Sequence, residues 1–317
     1  MQKDIIIAYM TSKYSTLGDL KNFIVNYKRY ESGKKHKLIV CFKNLKNEEI
    51  KMRKSFLKKI NYKQFIDKET INDFEWGTLK RLCEKYKNKD IFWLNDHSYP
   101  IRNNWLKIIF NAYGRDKVIG CSSSFSSHYA NSFFRKKNES VIYAIKKIIY
   151  YFYLFPNFPN PHLRTTGFLI NSSLFLNFIK KKKIKSKLDS FLIESGYNSL
   201  TRFLLDNGYK IRIVNSNNKS YDLFNSEKSE TFAFKDKNFA LISDNQMRNY
   251  IVLNKSLKKK KKNYKFGEKF KMKKIMRHEQ KFLKIFNNEF KNLKKDFTIL
   301  EFGVSAKALS TSIFLKK

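Results

Sequence analysis

The chain has 317 residues, of which 66 are lysine or arginine and 27 are aspartate or glutamate, so its formal net charge is +39. The length allows one large α/β domain and an appendage, and the charge is typical of proteins that bind nucleic acid or anionic membranes. Lysine, however, is enriched together with asparagine, isoleucine, phenylalanine and tyrosine, which share A- and T-rich codons. Genomic composition is therefore an alternative origin for much of the charge, although a basic surface still attracts nucleotide diphosphates and anionic lipids.

Three further features exclude classes of protein. Cys41, Cys83 and Cys121 have no CxxC spacing and are expected to be reduced core residues of a cytoplasmic protein. Residues 1–10 have a strand pattern and not that of a signal peptide. The longest apolar stretch, residues 148–155, is far shorter than the roughly 20 residues that cross a bilayer, so only peripheral contact with the inner face of a membrane stays open.

The first elements alternate between strands and helices. They are a strand at 4–10, a helix at 17–27, a strand at 37–42, a helix at 76–83 and a strand at 91–94. Near-continuous apolar strands in this order predict an α/β protein with a mostly parallel sheet flanked by helices. The tips of such strands form a ligand crevice, which makes Asp96 a candidate contact for a metal or a sugar nucleotide.

The next segments supply more candidates. Residues 140–155 combine aromatic side chains with two lysines and are expected to be core, a lid over a cleft, or a stripe at a bilayer surface. Residues 159–167 begin with prolines and end with glycine, which suits a loop that presents His162 and Arg164 to a ligand or, equally, a plain connection to a buried strand. A helical pattern leads into Glu194.

The C-terminal part changes character. Residues 1–253 are predicted to form one domain, followed by a basic linker at 254–274. Residues 275–293 place apolar side chains at helical spacing, and residues 297–303 have a strand pattern that enters a glycine turn. Residues 275–317 are therefore expected to be a basic helical extension, or the truncated start of a second domain.

Several of these segments resemble the nucleotide-sugar glycosyltransferases of the GT-A fold, family 2. The likeness spans roughly residues 1–252 and rests on the opening strand, the helix at 76–83 preceded by Asp73, and residues 95–97 and 194–196. Two further segments, 159–168 and 242–250, are similar to bacterial glycosyltransferase-like proteins. Residues 299–305 look like the first strand and turn of class I S-adenosylmethionine methyltransferases. One strand and one turn cannot build a cofactor site, however, and Lys307 and Ala308 depart from that pattern.

The GT-A likeness implies transfer of a sugar from a nucleoside diphosphate sugar to a glycan, polysaccharide or lipid-linked acceptor. Six polar residues are the predicted donor contacts: Asp73, Asn95, Asp96, His162, Arg164 and Asp244. Asp96 and His97 are the predicted ligands of Mn²⁺ or Mg²⁺, and Glu194 is the predicted general base. Only one carboxylate stands where the family has two, so metal dependence stays open. The alternatives are a turn residue for Asp96, a solvated helix end for Glu194 and an N-cap for Asp73.

Two other functions compete with transfer. A nucleic-acid-binding protein would use the basic segment 255–274, although no helix-turn-helix, zinc-finger or RNA-recognition motif supports this partner. A degenerate, non-catalytic member of the same fold would explain the incomplete acidic pair. The identity of the donor and the acceptor depends on cleft shape, which short motifs do not encode.

Overall fold

Strands of the chain form one central sheet and two small ones in the computed structural model, which describes residues 5–69, 72–133, 140–232 and 239–258. The strands are β1 (Ile5–Ser12), β2 (Lys37–Lys43), β3 (Lys63–Asp67), β4 (Asp90–Leu94), β5 (Tyr99–Pro100), β6 (Lys117–Gly120), β7 (Ser123–Ser124), β8 (His162–Leu163), β9 (Phe168–Asn171), β10 (Lys210–Val214), β11 (Ser220–Asp222) and β12 (Ile242–Ser243). The predicted strands at 4–10, 37–42 and 91–94 are thus confirmed as β1, β2 and β4.

Helices lie between these strands. They are α1 (Leu17–Arg29), α2 (Asn47–Leu57), α3 (Phe74–Lys85), α4 (Trp105–Asn111), α5 (His128–Ser132), α6 (Val141–Leu154), α7 (Ser172–Ile179), α8 (Lys187–Ser195), α9 (Leu200–Asp206) and α10 (Asn245–Ile251), with a 3-10 helix at Leu223–Ser229. Thr16 and Asp19 form a capping box at the start of α1, which satisfies backbone N–H groups of its first turn.

The order of the central sheet is β11-β10-β6-β9-β4-β1-β2-β3. The strands β1, β2, β3, β4, β6 and β10 run in one direction, whereas β9 and β11 run in the other. This arrangement confirms the predicted fold class, a mostly parallel α/β sheet flanked by helices. The antiparallel β9 sits between β4 and β6, a position that local sequence pattern does not reveal.

The core lies on both faces of the sheet. Every residue of β1 and β4 is buried, as expected for central strands covered by helices on each side. Because side chains alternate along a strand, Ile6 and Ala8 join the cluster that contains Trp76 of α3, whereas Ile7 joins the cluster that contains Trp105 of α4. Continuous apolar strands therefore follow from burial on two faces.

Two expectations about covalent state and membranes can be compared with the structure. The predicted core cysteines Cys41, Cys83 and Cys121 are buried and free, and burial raises the pKa of each thiol. Across the described ranges, no helix combines the length and apolar character needed to cross a membrane.

The described residues all belong to one compact unit, Met1–Phe270. The predictions for the rest of the basic linker from residue 259, for the helix at 275–293 and for the strand at 297–303 lie outside the described residues.

Candidate functional site

Polar residues gather at one edge of the central sheet. Ser12 ends β1, Asp96 follows β4, and Ser122 follows β6, so these three parallel strands deliver them to the same side. Because β9 is antiparallel, the residues that precede it, 164–167, lie at this edge too, and the N–H of Cys121 donates to the carbonyl of Gly167 at 2.9 Å. We call this side of the sheet the carboxyl edge. It is where open α/β sheets bind ligands.

Asp96 is a buried carboxylate at this edge. The Ser12 hydroxyl donates to its Oδ2 at 2.6 Å, and the Tyr9 hydroxyl donates to its carbonyl at 3.2 Å. Asn95 stabilises the same turn, because its Oδ1 accepts the His97 N–H at 3.2 Å and the Ser98 hydroxyl at 2.6 Å. Asp96 is thus a turn residue, but one at a strand tip and shielded from solvent. Asn95 shapes the turn that holds it.

His97 bridges two acids. Its Nε2 lies 3.4 Å from Asp96 Oδ1, and its Nδ1 lies 3.3 Å from Asp19 Oδ1. Burial opposes ionisation of Asp19, but hydrogen bonds from Thr16 and His97 outweigh it and lower the pKa of the carboxyl. Arg248 of α10 donates to the His97 carbonyl at 3.1 Å, and its guanidinium lies over the Tyr99 ring. Asp96, His97, Asp19 and Arg248 therefore form a continuous row of contacts at this edge.

Arg164 and Asp244, both predicted donor contacts, pair directly. Their nearest atoms are 2.8 Å apart, both side chains are buried, and Arg164 also donates to the Ser122 hydroxyl at 3.3 Å. Asp244 caps α10 by accepting the Met247 N–H at 2.7 Å. The β5–β12 pairing sets Ser243 opposite Tyr99, which brings this pair beside the turn after Asp96. An incoming phosphate would have to share Arg164 with Asp244.

His162 does not lie on the loop that the sequence predicts. Together with Leu163 it forms β8, which pairs with β7, because this pairing gives the buried backbone its hydrogen bonds. The imidazole is buried, with Nδ1 at 2.7 Å from the Asn160 carbonyl. The Phe158–Pro159 peptide is cis, and the Asn160 side chain donates to the Ser195 carbonyl at 2.7 Å. This contact ties the segment to the end of α8.

Glu194 lies in the last turn of α8 and is half-buried. Glu75, in the first turn of α3, has a pKa raised by burial and, further, by the negative charges of Glu194 and Asp96, against the opposing charge of Lys187. Glu75 is therefore within electrostatic range of both Glu194 and Asp96. Sequence reasoning missed Glu75, although it stands next to the helix pattern that begins at Trp76.

Asp73 belongs to a buried ion network. Its carboxylate pairs with Lys43 and, at 2.6 Å, with Arg81, and Asp67 pairs with the same two cations at 3.4 Å and 2.6 Å. Although Asp73 precedes α3, its side chain makes no capping hydrogen bond. Lys43 stands opposite Ser12 in the sheet register, so this network adjoins the Asp96 region.

The network also contains residues that sequence reasoning missed. Lys43 and Asp67 end β2 and β3 just as Ser12 ends β1. The rule used for Asp96, that polar residues at the ends of parallel strands share one edge, would have found Ser12 and Lys43 after the predicted strands at 4–10 and 37–42. It would have missed Asp67, because the sequence analysis predicts no strand at 63–67.

The donor set for a metal is small. In the part of the chain that the structure describes, no group of three or more histidine, cysteine, aspartate or glutamate side chains is placed to hold an ion. Asp96 and His97 lie together, but both imidazole nitrogens already face carboxylates. These two residues fit a hard divalent cation only where diphosphate oxygens complete the shell, as is common for Mg²⁺.

Comparisons with known proteins give distant structural similarities. No family model and no curated protein matches the sequence. Among solved structures, the chain is similar to 4-diphosphocytidyl-2C-methyl-D-erythritol synthase from Anaerococcus prevotii at 12% identity and a TM-score of 0.39, over 67% of this chain and 88% of that one.

Two glycosyltransferases are also similar to it. Mouse xyloside xylosyltransferase 1 matches at 12% identity and a TM-score of 0.34, over 65% of this chain and 82% of that one. The glycosyltransferase GlyE of Streptococcus pneumoniae matches at 10% identity and a TM-score of 0.37, over 66% of this chain and 45% of that one. Similarity at this level carries no argument about the reaction or substrate of this chain.

Proposed function

We propose that this chain transfers a sugar from a nucleoside diphosphate sugar to a glycan acceptor. The observation that carries the proposal is the convergence, at the carboxyl edge, of side chains from separate elements around the buried Asp96. Ser12 comes from β1, Arg164 from the segment before β9, and Asp244 and Arg248 from the region of α10. A mostly parallel sheet places ligands at this edge, and a polar cluster there suits a nucleotide donor.

The departing diphosphate needs positive charge. Arg164, Arg248 and Lys43 bring cations to the edge, and guanidinium groups suit the geometry of phosphate oxygens. If a divalent ion takes part, Asp96 and His97 would hold it and it would neutralise the charge that develops on the diphosphate. Of the remaining predicted donor contacts, Asn95 shapes the turn of Asp96 and Asp73 pairs with Lys43, which supports a place for both beside the donor, whereas the His162 imidazole is buried against the Asn160 carbonyl.

The acceptor hydroxyl needs a base, and we assign this role to Glu194. Its side chain is half-buried at the end of α8 and interacts electrostatically with Glu75, which burial places in an environment of raised pKa. Asn160 donates to the backbone carbonyl of Ser195, the residue after Glu194, and this link to the 159–164 segment supports a role for Glu194 beside the donor.

Thermal stability against UDP-, GDP-, dTDP- and CMP-sugars, with and without manganese, tests donor binding. One donor should raise the melting temperature of the wild type and have little effect on Asp96→Asn, which keeps the shape of the side chain but loses its charge. Asp116→Asn is the matched control, because Asp116 is exposed at the opposite end of β6. A wild type that responds to no donor would contradict the proposal, and a response that requires manganese would support a metal.

Glu194→Gln tests the catalytic assignment. Donor binding should stay nearly intact while transfer falls about 100-fold or more, because a general base contributes rate and not donor affinity. Glu84→Gln, an exposed change on α3, should leave both unchanged. Equal losses of donor binding and turnover in Glu194→Gln would contradict the role of base. A donor that binds tightly but is never transferred by the wild type would instead favour a non-catalytic member of the fold.

A further inference from the structure

Helix α6 exposes an apolar and aromatic face. Six of its large hydrophobic side chains are exposed by these fractions: Val141 40%, Ile142 67%, Tyr143 60%, Ile149 39%, Tyr150 54% and Tyr153 45%. The opposite side, with Ala144, Ile145 and Ile148, packs into the protein. Val141 begins the helix in line with the buried side, so we call the other five exposed residues the α6 face. Soluble proteins expose isolated hydrophobic residues commonly but contiguous patches rarely, and such patches mark interaction sites.

Residues of the α6 face line up along one side of the helix. Ile142, Ile149 and Tyr153 lie within one stripe, since residues three, four and seven apart share a side of a helix. The buried side is apolar as well, so this helix is hydrophobic nearly all round although one side faces solvent. The packing of the described protein thus leaves unburied the apolar surface that a soluble helix would normally hide.

Positive charge borders the α6 face. Lys146 is exposed within it, Lys147 lies beside the Tyr143 ring, and the sequence of α6 contains no acidic residue. At the C-terminal end, the Leu154 carbonyl accepts the Tyr197 N–H at 3.2 Å. Lys182 donates to the neighbouring Asn198 carbonyl at 2.9 Å, which brings the lysines of 180–183 to the same end of the helix.

We propose that the α6 face docks on an anionic lipid surface. Aliphatic side chains enter the boundary between headgroups and acyl chains, tyrosines suit the headgroup level, and lysines beside them attract anionic lipids. A second copy of this chain is a poorer occupant, because pairing the two faces would bring like charges together. The proposal is independent of the sugar-transfer proposal, since vesicle binding requires neither donor nor turnover.

Vesicle flotation of the full chain tests the proposal. The protein should float with vesicles that contain phosphatidylglycerol and much less with phosphatidylcholine alone. The double variant Ile142→Asn, Tyr150→Ser changes no charged residue, so the electrostatic attraction between the lysines and the anionic lipids remains. Its partition coefficient should nevertheless fall about tenfold or more, through loss of apolar burial. The difference should persist at about 0.5 M NaCl, where exposed charges are strongly screened.

Matched controls separate this effect from a general loss of hydrophobicity. The double variant Val25→Asn, Phe224→Ser removes side chains that are 61% and 54% exposed on other elements and should bind vesicles like the wild type. Melting temperatures of both variants should stay close to that of the wild type, since every altered side chain is exposed. No flotation of the wild type, or equal flotation of both variants, would overturn the proposal. Sedimentation velocity provides a further test. A dimer that only the α6 variant dissociates, while vesicle binding is unchanged, would overturn the proposal in favour of a second copy as the occupant.

Discussion

Asp67 shows how single residues hold the candidate site in place. Burial opposes ionisation of its carboxyl, but hydrogen bonds from Arg81 and Thr78 and the charge of Lys43 outweigh it and lower the pKa. Neighbours supply the compensation that a buried charge requires. Asp73 pairs with the same two cations, Lys43 and Arg81. Removing either carboxylate therefore leaves buried positive charge that is only partly neutralised.

Asp67→Asn should therefore reduce the free energy of unfolding at pH 7 by about 3 kcal/mol. Since the folded-state pKa of Asp67 lies below the unfolded value of about 3.9, its ionised form stabilises the protein above that value. This contribution is lost as the pH falls through the folded pKa. Urea unfolding at several pH values should thus show the difference between wild type and variant shrink in acid.

The exposed Asp116 provides the comparison for this experiment. Asp116→Asn should change the unfolding curve little at any pH, because its partner Lys210 and its own side chain are both exposed. A difference between wild type and Asp67→Asn that is constant across the pH range would contradict a contribution from the ionised carboxylate.

At the scale of the element, α3 approaches the ion network closely because one residue lacks a side chain. A Cβ on Gly77 would lie 1.8 Å from Oδ2 of Asp73, whereas a Cβ on Gly18 of α1 would meet only Thr16 Oγ1, at 3.4 Å. The helix can thus begin directly beside Asp73 and keep that carboxylate on Lys43 and Arg81.

Gly77→Ala should displace the Asp73 carboxylate and lower the free energy of unfolding by about 2 kcal/mol or more. Gly18→Ala occupies a comparable first turn without a clash, and there alanine should stabilise the helix by up to about 1 kcal/mol. Thermal unfolding of both variants gives the comparison. Equal stability of the two would show that the approach of α3 to Asp73 is not tight.

At the scale of the whole molecule, the net charge of +39 makes binding to any polyanion a competing explanation of function. Salt dependence separates the classes. A nucleoside diphosphate sugar carries few charges, so its affinity should fall less than about tenfold between roughly 50 and 200 mM NaCl. Binding to a single-stranded oligonucleotide should fall far more steeply, because it releases many counterions. Oligonucleotide binding that falls steeply with salt and is lost when residues 255–274 are deleted, with no donor binding, would favour the nucleic-acid alternative.

Local pattern determined much of the architecture. The apolar runs at 37–42 and 91–94 predict buried parallel strands because only strands covered on both faces lack polar alternation. The same reasoning predicts Asp96 at a strand tip, where the structure has it. Covalently adjacent residues suffice for such predictions, since strand and helix periods are local properties of the chain.

Only the tertiary structure decided which distant residues meet. Arg164 pairs with Asp244 at the carboxyl edge because β9, which follows Arg164, lies between β4 and β6. Glu75 interacts electrostatically with Glu194 because α8 packs near α3. Strand order is set by the packing of the entire sheet and has no local signature. The exposed side of α6 was likewise undecided by its sequence. Apolar residues occupy both sides of this helix, and the neighbours against which it packs determine which side reaches solvent.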